Sequence, residues 1–185
     1  MTASASEEWT SVSRLAGPAP STAAAWLPER TMKSKSINLA GSADVRLVVL
    51  DSGEEAFATL QSFAREAGIS AASLTAIGAF ERATVGWFDF NRRTYKNIEV
   101  NEQCEVLSAI GDIAVGDDGK ASLHVHVVLG LADGSTRGGH LLKGTVHPTL
   151  EVVLTTTPAT LRRRLRPDLG IALIDADLEH RRRGQ

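Results

Sequence analysis

His124 and His126 stand one residue apart in Leu123-His124-Val125-His126-Val127-Val128-Leu129, and a third histidine, His140, follows the glycine pair Gly138-Gly139. Alternate residues of a β-strand leave the same face. A strand here therefore sends both imidazoles one way, ~7 Å apart along the chain. The opposite face receives Leu123, Val125, Val127, Leu129 and Leu131. Two imidazoles so placed reach a common cation, and the ligand type suits zinc and related divalent metals. A third ligand with one coordination position left open would make a reactive or ligand-accepting centre. The simpler alternative is a pair of hydrogen-bonded, half-buried histidines.

Register decides whether His140 joins them. A two-residue loop at Asp133-Gly134 sets Val127 opposite His140, and His140 then points away. A three-residue loop, or a bulge at Gly138-Gly139, shifts the pairing by one and brings His140 to the same side. Paired glycines in a strand mark bulges or close backbone approach. Glu151 alternates with Leu150, Val152 and Leu154, so it faces away from that apolar set. It is either a fourth ligand, a carboxylate that orients a ligating imidazole, or an exposed strand residue. Arg137 offers a guanidinium for anion recognition, or is an exposed turn arginine. His147 precedes Pro148 in an expected turn at the surface, and His180 belongs to a charged tail.

Positioning these side chains takes a sheet. Val45-Arg46-Leu47-Val48-Val49-Leu50 is a β-rich run ended by Asp51-Ser52-Gly53. Ser52 and Glu55 have capping-box spacing, with Ser52 as the cap and Glu55 reaching back. The helix that follows aligns Phe57, Leu60, Ala64 and Ala67, with Phe63 at the edge of the stripe. Gly68 is placed to end it in the left-handed conformation. Residues 70–73 suggest one more helical turn leading into 74–80. Strands are expected at about 83–90, 94–100, 104–115, 121–131, 137–146 and 149–156, with short turns such as Asn91-Arg92 and Asp117-Asp118-Gly119. The fold class is α+β, a curved, mainly antiparallel sheet covered by an amphipathic helix. Trp87, Phe88 and Phe90 straddle both faces of their strand and suit core or subunit-interface packing.

Residues 1–36, rich in Ala, Ser, Thr and Pro, read as an extension, with Trp9, Trp26 and Leu27 able to dock on a core or a neighbouring subunit. Residues 37–160 form the domain, and 161–185 a C-terminal segment with an Arg-rich tail. The 185 residues are 43% hydrophobic and 23% charged, an ordinary globular balance for one domain plus a tail. The net charge of −2 argues against whole-protein attraction to nucleic acid. Arg162-Arg163-Arg164, Arg166 and Arg181-Arg182-Arg183 read as solvated helix faces or tails, with nucleic-acid contact the alternative. Cys104 is the one cysteine, which excludes an intrachain disulfide and reads as a small buried hydrophobe in a reducing cytoplasm. No run approaches the ~18 apolar residues of a membrane span, and Glu7-Glu8 occupy the place where a secretory signal carries positive charge. There is no Gly-x-x-x-x-Gly-Lys-Ser/Thr loop, Gly-x-Ser-x-Gly elbow or His-Glu-x-x-His. No Glu follows the His-x-His closely enough to complete the first cupin motif.

Leu123-His124-Val125-His126, Asp133-Gly134, Gly138-Gly139-His140-Leu141-Leu142-Lys143-Gly144 and Glu151-Val152-Val153-Leu154 together resemble the plants and prokaryotes conserved (PPC or PCC) domain, also called DUF296. Leu50 to Glu55, Ala76 to Phe80 and Glu105 to Ser108 are similar to its other recurrent segments, so the resemblance spans about Val45 to Thr156. It implies an α+β fold that assembles as a homotrimer. It also implies a metal on His124, His126 and His140, as in some prokaryotic members, and association with nuclear or DNA-associated proteins, as in plants. This chain lacks the Arg-Gly-Arg-Pro AT-hook of plant members, so minor-groove binding does not carry over. Three functions follow: a trimeric binding or regulatory module of DNA-associated type, possessing a divalent-metal site; a metal-dependent enzyme acting on a small molecule; or a nucleic-acid binder acting through the arginine-rich C-terminus. The first is favoured, because no catalytic base is evident beyond Glu151.

Overall fold

The computed structural model describes residues 33–36, 44–158 and 160–175. Trp9, Trp26, Leu27, His180 and Arg181 to Arg183 lie outside the described residues. Among the described residues, nine strands and one helix follow in the order β1 (Lys33–Ser36), β2 (Val45–Asp51), α1 (Ala56–Glu66), β3 (Ala71–Asp89), β4 (Thr94–Val100), β5 (Cys104–Val115), β6 (Ala121–Gly130), β7 (Thr136–Thr156), β8 (Arg163–Arg166) and β9 (Ile171–Ile174). The first seven form one antiparallel sheet in the order β1-β2-β7-β6-β5-β3-β4, and β8 with β9 forms a separate hairpin.

β3 also pairs with β7, so β3, β5, β6 and β7 close on one another. Two long strands make this closure possible. β7 runs unbroken through the expected turn at His147-Pro148, and β3 absorbs the expected helical turn at 70–73. Ala71 and Ala72 are buried and pair with β5, so tertiary pairing overrides the local preference for a turn of helix. Register shifts near Gly78, Phe80 and Thr84 bend the β3–β7 pair as it curls.

The inner face of the closed part carries the core: Leu74, Phe80, Val85, Val106, Ile113, Val125, Val127, Leu129, Leu141, Val146 and Leu154 are all buried. α1 lays Ala56, Leu60, Phe63 and Ala64 on this core. Phe63 sits within the buried stripe rather than at its edge, and Ala67 is exposed, because the helix has already ended. Gly68, at φ 63°, makes the left-handed exit. The cap at the other end is Glu55, not Ser52: its carboxylate accepts from the Phe57 and Ala58 amides, at 3.3 and 2.7 Å, and from Gly144 N at 2.9 Å. Ser52 is engaged elsewhere, 2.8 Å from Nδ1 of the exposed His147.

Sequence pattern missed β1 and the C-terminal hairpin. The arginines of 162–166 lie on neither a helix nor a free tail. β8 and β9 pair from Arg163 opposite Ile174 to Arg166 opposite Ile171, and Arg163 is buried.

Candidate metal centre

β6 presents Leu123, Val125, Val127 and Leu129 to the core and turns His124 and His126 outward. Its upstream end is fixed by the helix. The Gln61 side chain donates to the Ala121 carbonyl and accepts from the Leu123 amide at 3.0 Å, standing in for the strand that β6 lacks at that edge.

The β6–β7 connection is the three-residue loop Ala132-Asp133-Gly134. The Leu131 amide donates to the Ser135 carbonyl, the Gly134 amide to the Leu131 carbonyl, both at 2.9 Å, and Gly134 takes φ 80°. The odd loop length sets His140 directly opposite His126. His140 therefore shares their face, and the ladder passes Gly138 and Gly139 without a shift. Gly139 is needed for another reason. At φ 153°, a Cβ there would lie 2.5 Å from the Gly86 carbonyl oxygen. That carbonyl accepts a hydrogen bond from the His140 ring, so the close approach orients an imidazole.

The three histidines bring one ring nitrogen each to within 4.8 Å of one another. Nε2 of His124 and Nε2 of His126 are 3.2 Å apart. The rings contact pairwise, with centroids 4.1 to 5.0 Å apart. In a tetrahedral zinc site with bonds of about 2.1 Å, ligand nitrogens sit roughly 3.4 Å apart, so small ring rotations would suffice. Burial, then the neighbouring histidine charges, push His140 down to about 4. Burial and His124 likewise lower His126. Both shifts favour the neutral ring, the form that ligates a metal. Donor type, convergence and protonation all fit a divalent cation.

The flanks of the cluster were not visible in the sequence. Asp112 on β5 lies opposite His124, and its Oδ2 is 3.5 Å from His124 Nδ1. Its other oxygen takes the Arg163 guanidinium. Burial would raise the Asp112 carboxyl, but the bond to His124 and the charge of Arg163 outweigh it and hold the group below the ordinary carboxylate value. On the other side the Tyr95 ring packs edge-on to His140 at 4.8 Å, followed by Phe88 at 5.0 Å from Tyr95 and Phe90 at 5.3 Å from Phe88. Phe88 is buried, while Trp87 and Phe90 are exposed. The one available signal was Asp112 itself, a carboxylate interrupting the run Ala109 to Val115.

Glu151 and Arg137 do not join the cluster. Glu151 is exposed in the far half of β7, opposite Val49 and Ile77. Arg137 is exposed near the loop, opposite Leu129, and its alternation with His140 sends it to the other face. The carboxylate beside the histidines is Asp112.

The chain as a whole is similar to a known group of proteins. The Plants and Prokaryotes Conserved (PCC) domain matches residues 39–158. A metal-containing protein of Archaeoglobus fulgidus is 33% identical, with 71% of this chain and 92% of that chain covered and a TM-score of 0.65. A plant- and prokaryote-conserved (PPC) protein of Pyrococcus horikoshii is 28% identical over 75% of this chain and 97% of its own, with a TM-score of 0.66. A Bacteroides thetaiotaomicron protein, provisionally named as DNA-binding, is 26% identical over 77% and 96%, with a TM-score of 0.69. Comparison with curated proteins gives no match.

Proposed function

Because the chain belongs to the Plants and Prokaryotes Conserved domain family, we propose that it is a homotrimeric binding or regulatory module with a DNA-associated role. In this reading His124, His126 and His140 hold one divalent metal ion, zinc by ligand type. The observation that carries the metal reading is the convergence of three imidazole nitrogens within 4.8 Å. Each flanking ring has its own support, Asp112 for His124 and the Gly86 carbonyl for His140. The metal-containing relative from Archaeoglobus supports the same reading. When bound, such an ion supplies a Lewis-acid centre with a position open to water or a ligand.

The trimer is supported by the outer sheet face beside the histidines. Ile77, Ile110, Val128 and Val153 are exposed there, with Ile110 opposite His126 and Val153 opposite Thr75. Apolar area of this kind marks an association surface. The DNA-associated role rests on the provisional name of the Bacteroides relative. Association through DNA-bound partners is favoured over direct contact, because Arg163, Arg164 and Arg166 of the C-terminal run pair with Asp112, Asp175 and Asp168. Among the described residues no helix is long and apolar enough to cross a membrane. Cys104 is a buried free thiol, in keeping with a cytoplasmic home.

Elemental analysis of untagged protein tests the metal reading, with about one divalent ion per subunit expected and none in His124→Ala. Light scattering at the mass of a monomer would remove the trimer. DNA affinity that falls steeply with salt and disappears on cutting the C-terminal tail would replace the favoured role with direct binding.

A further inference from the structure

Among the described residues Arg163 is the only buried polar or charged side chain, at 6% exposure. It also lies beyond the 39–158 stretch that matches the family. Its segment docks on the ends of β5 and β6 by several bonds. The Val115 amide donates to the Leu161 carbonyl at 2.8 Å, and Arg162 bridges Val115 in parallel. The Leu165 amide donates to Asp117 Oδ2 at 2.9 Å. At the far end the Arg93 guanidinium donates to the Pro167 carbonyl at 3.4 Å. The hairpin is thus clipped to the sheet on both sides, and the clip carries Arg163 inward.

There the guanidinium divides its donors. One nitrogen reaches the Ser122 carbonyl at 3.2 Å and the Ser122 hydroxyl at 3.4 Å, and the other takes Asp112 Oδ1. Ser122 is two residues before His124 on β6, and Asp112 stands opposite His124 on β5. A planar guanidinium held at both ends leaves its carboxylate partner little freedom. Asp112 Oδ2 is left facing His124 Nδ1.

We propose that Arg163 is a positioning residue for the histidine cluster. By tying Asp112 on β5 to Ser122 on β6, it keeps the His124 Nδ1–H bound to Oδ2 and turns Nε2 towards His126 and His140. Nε2 of His124 is then the acceptor in its 3.2 Å contact with His126 Nε2. A hairpin outside the family domain so governs the ligand geometry inside it. The zinc arm of the test rests on the metal reading above, whereas the ring arm does not.

Long-range 1H–15N spectra of the imidazoles, taken on metal-free wild type, Arg163→Met, Arg163→Lys and Asp112→Asn at pH 8, read the His124 tautomer. Chelator competition then measures zinc affinity on the same proteins. Wild type should show His124 protonated at Nδ1, with a mixture in Arg163→Met and in Asp112→Asn and a partial return in Arg163→Lys. Zinc affinity should fall ~10–100-fold in Arg163→Met, with Asp112→Asn/Arg163→Met no worse than Asp112→Asn alone. Should Arg163→Met fail to fold by circular dichroism, Arg163→Lys and Asp112→Asn carry the comparison. A His124 tautomer unchanged in Asp112→Asn overturns the proposal, as does wild-type affinity in folded Arg163→Met. If the tautomer responds while wild type takes up no zinc, the positioning stands and the metal reading falls.

Discussion

The β6–β7 hairpin turns through Ala132, Asp133 and Gly134 and brings three imidazoles to one face; the β8–β9 hairpin turns through residues 167–170 and brings one guanidinium to their rear. Both are antiparallel pairs, and both bear on His124, the first through His126 beside it and the second through Asp112. The first supplies three imidazole nitrogens, and their geometry comes from strand alternation and loop length. The second supplies no ligand and acts only through Asp112. The comparison separates what a site is made of from what holds it in place, and the two are encoded at different ranges along the chain.

Removing a ligand should separate the hairpins most sharply. Alanine at His124, His126 or His140 should abolish stoichiometric metal, measured by elemental analysis, whereas Arg163→Met should keep it at reduced affinity. If both emptied the site alike, the distinction between ligand and support would collapse. Gly139→Val comes next. Its side chain would collide with the Gly86 carbonyl in a conformation that disfavours side chains, so a loss of at least ~1–3 kcal/mol is expected from urea unfolding. His140 should lose its orienting bond as well.

A smaller effect is set by pH. His140 is lowered to about 4 in the fold, against about 6.5 in the unfolded chain. The unfolded state therefore binds more protons between these values, and stability rises with pH across that window. It is complete above about 6.5 and lost as pH falls towards about 4. Urea midpoints of the metal-free protein at pH 4.5 and 7.5 should show this slope, and His140→Gln should flatten it. The lowered His126 adds in the same direction. The smallest effects belong to Glu151→Gln and Arg137→Ala. Both residues are exposed and away from the cluster, so metal content should stay unchanged and stability should move by no more than ~0.5 kcal/mol.

The ligand face was legible because it depends on short-range pattern. Alternation in 123–129 assigned His124 and His126 to one side. Asp133-Gly134 limited His140 to two registers, and the three-residue loop selected the one that joins them. The α+β class and the helix with its Gly68 exit were legible for the same reason. Asp112 and Arg163 were not, since a carboxylate interrupting a strand, or one arginine in a run of three, acquires its partner only when β5 and the C-terminal segment meet. The misplaced Ser52 cap and the unbroken β7 have the same origin: long-range partners, His147 and β3, outcompeted local preference.

Anomalous diffraction from crystals of the untagged protein, collected across the zinc edge, tests the central claim most directly. One strong peak per chain is expected, among the ring nitrogens of His124, His126 and His140, with Asp112 still bridging His124 and Arg163. No peak there in crystals grown with added zinc, with the three rings hydrogen-bonded only to one another and to solvent, would contradict it.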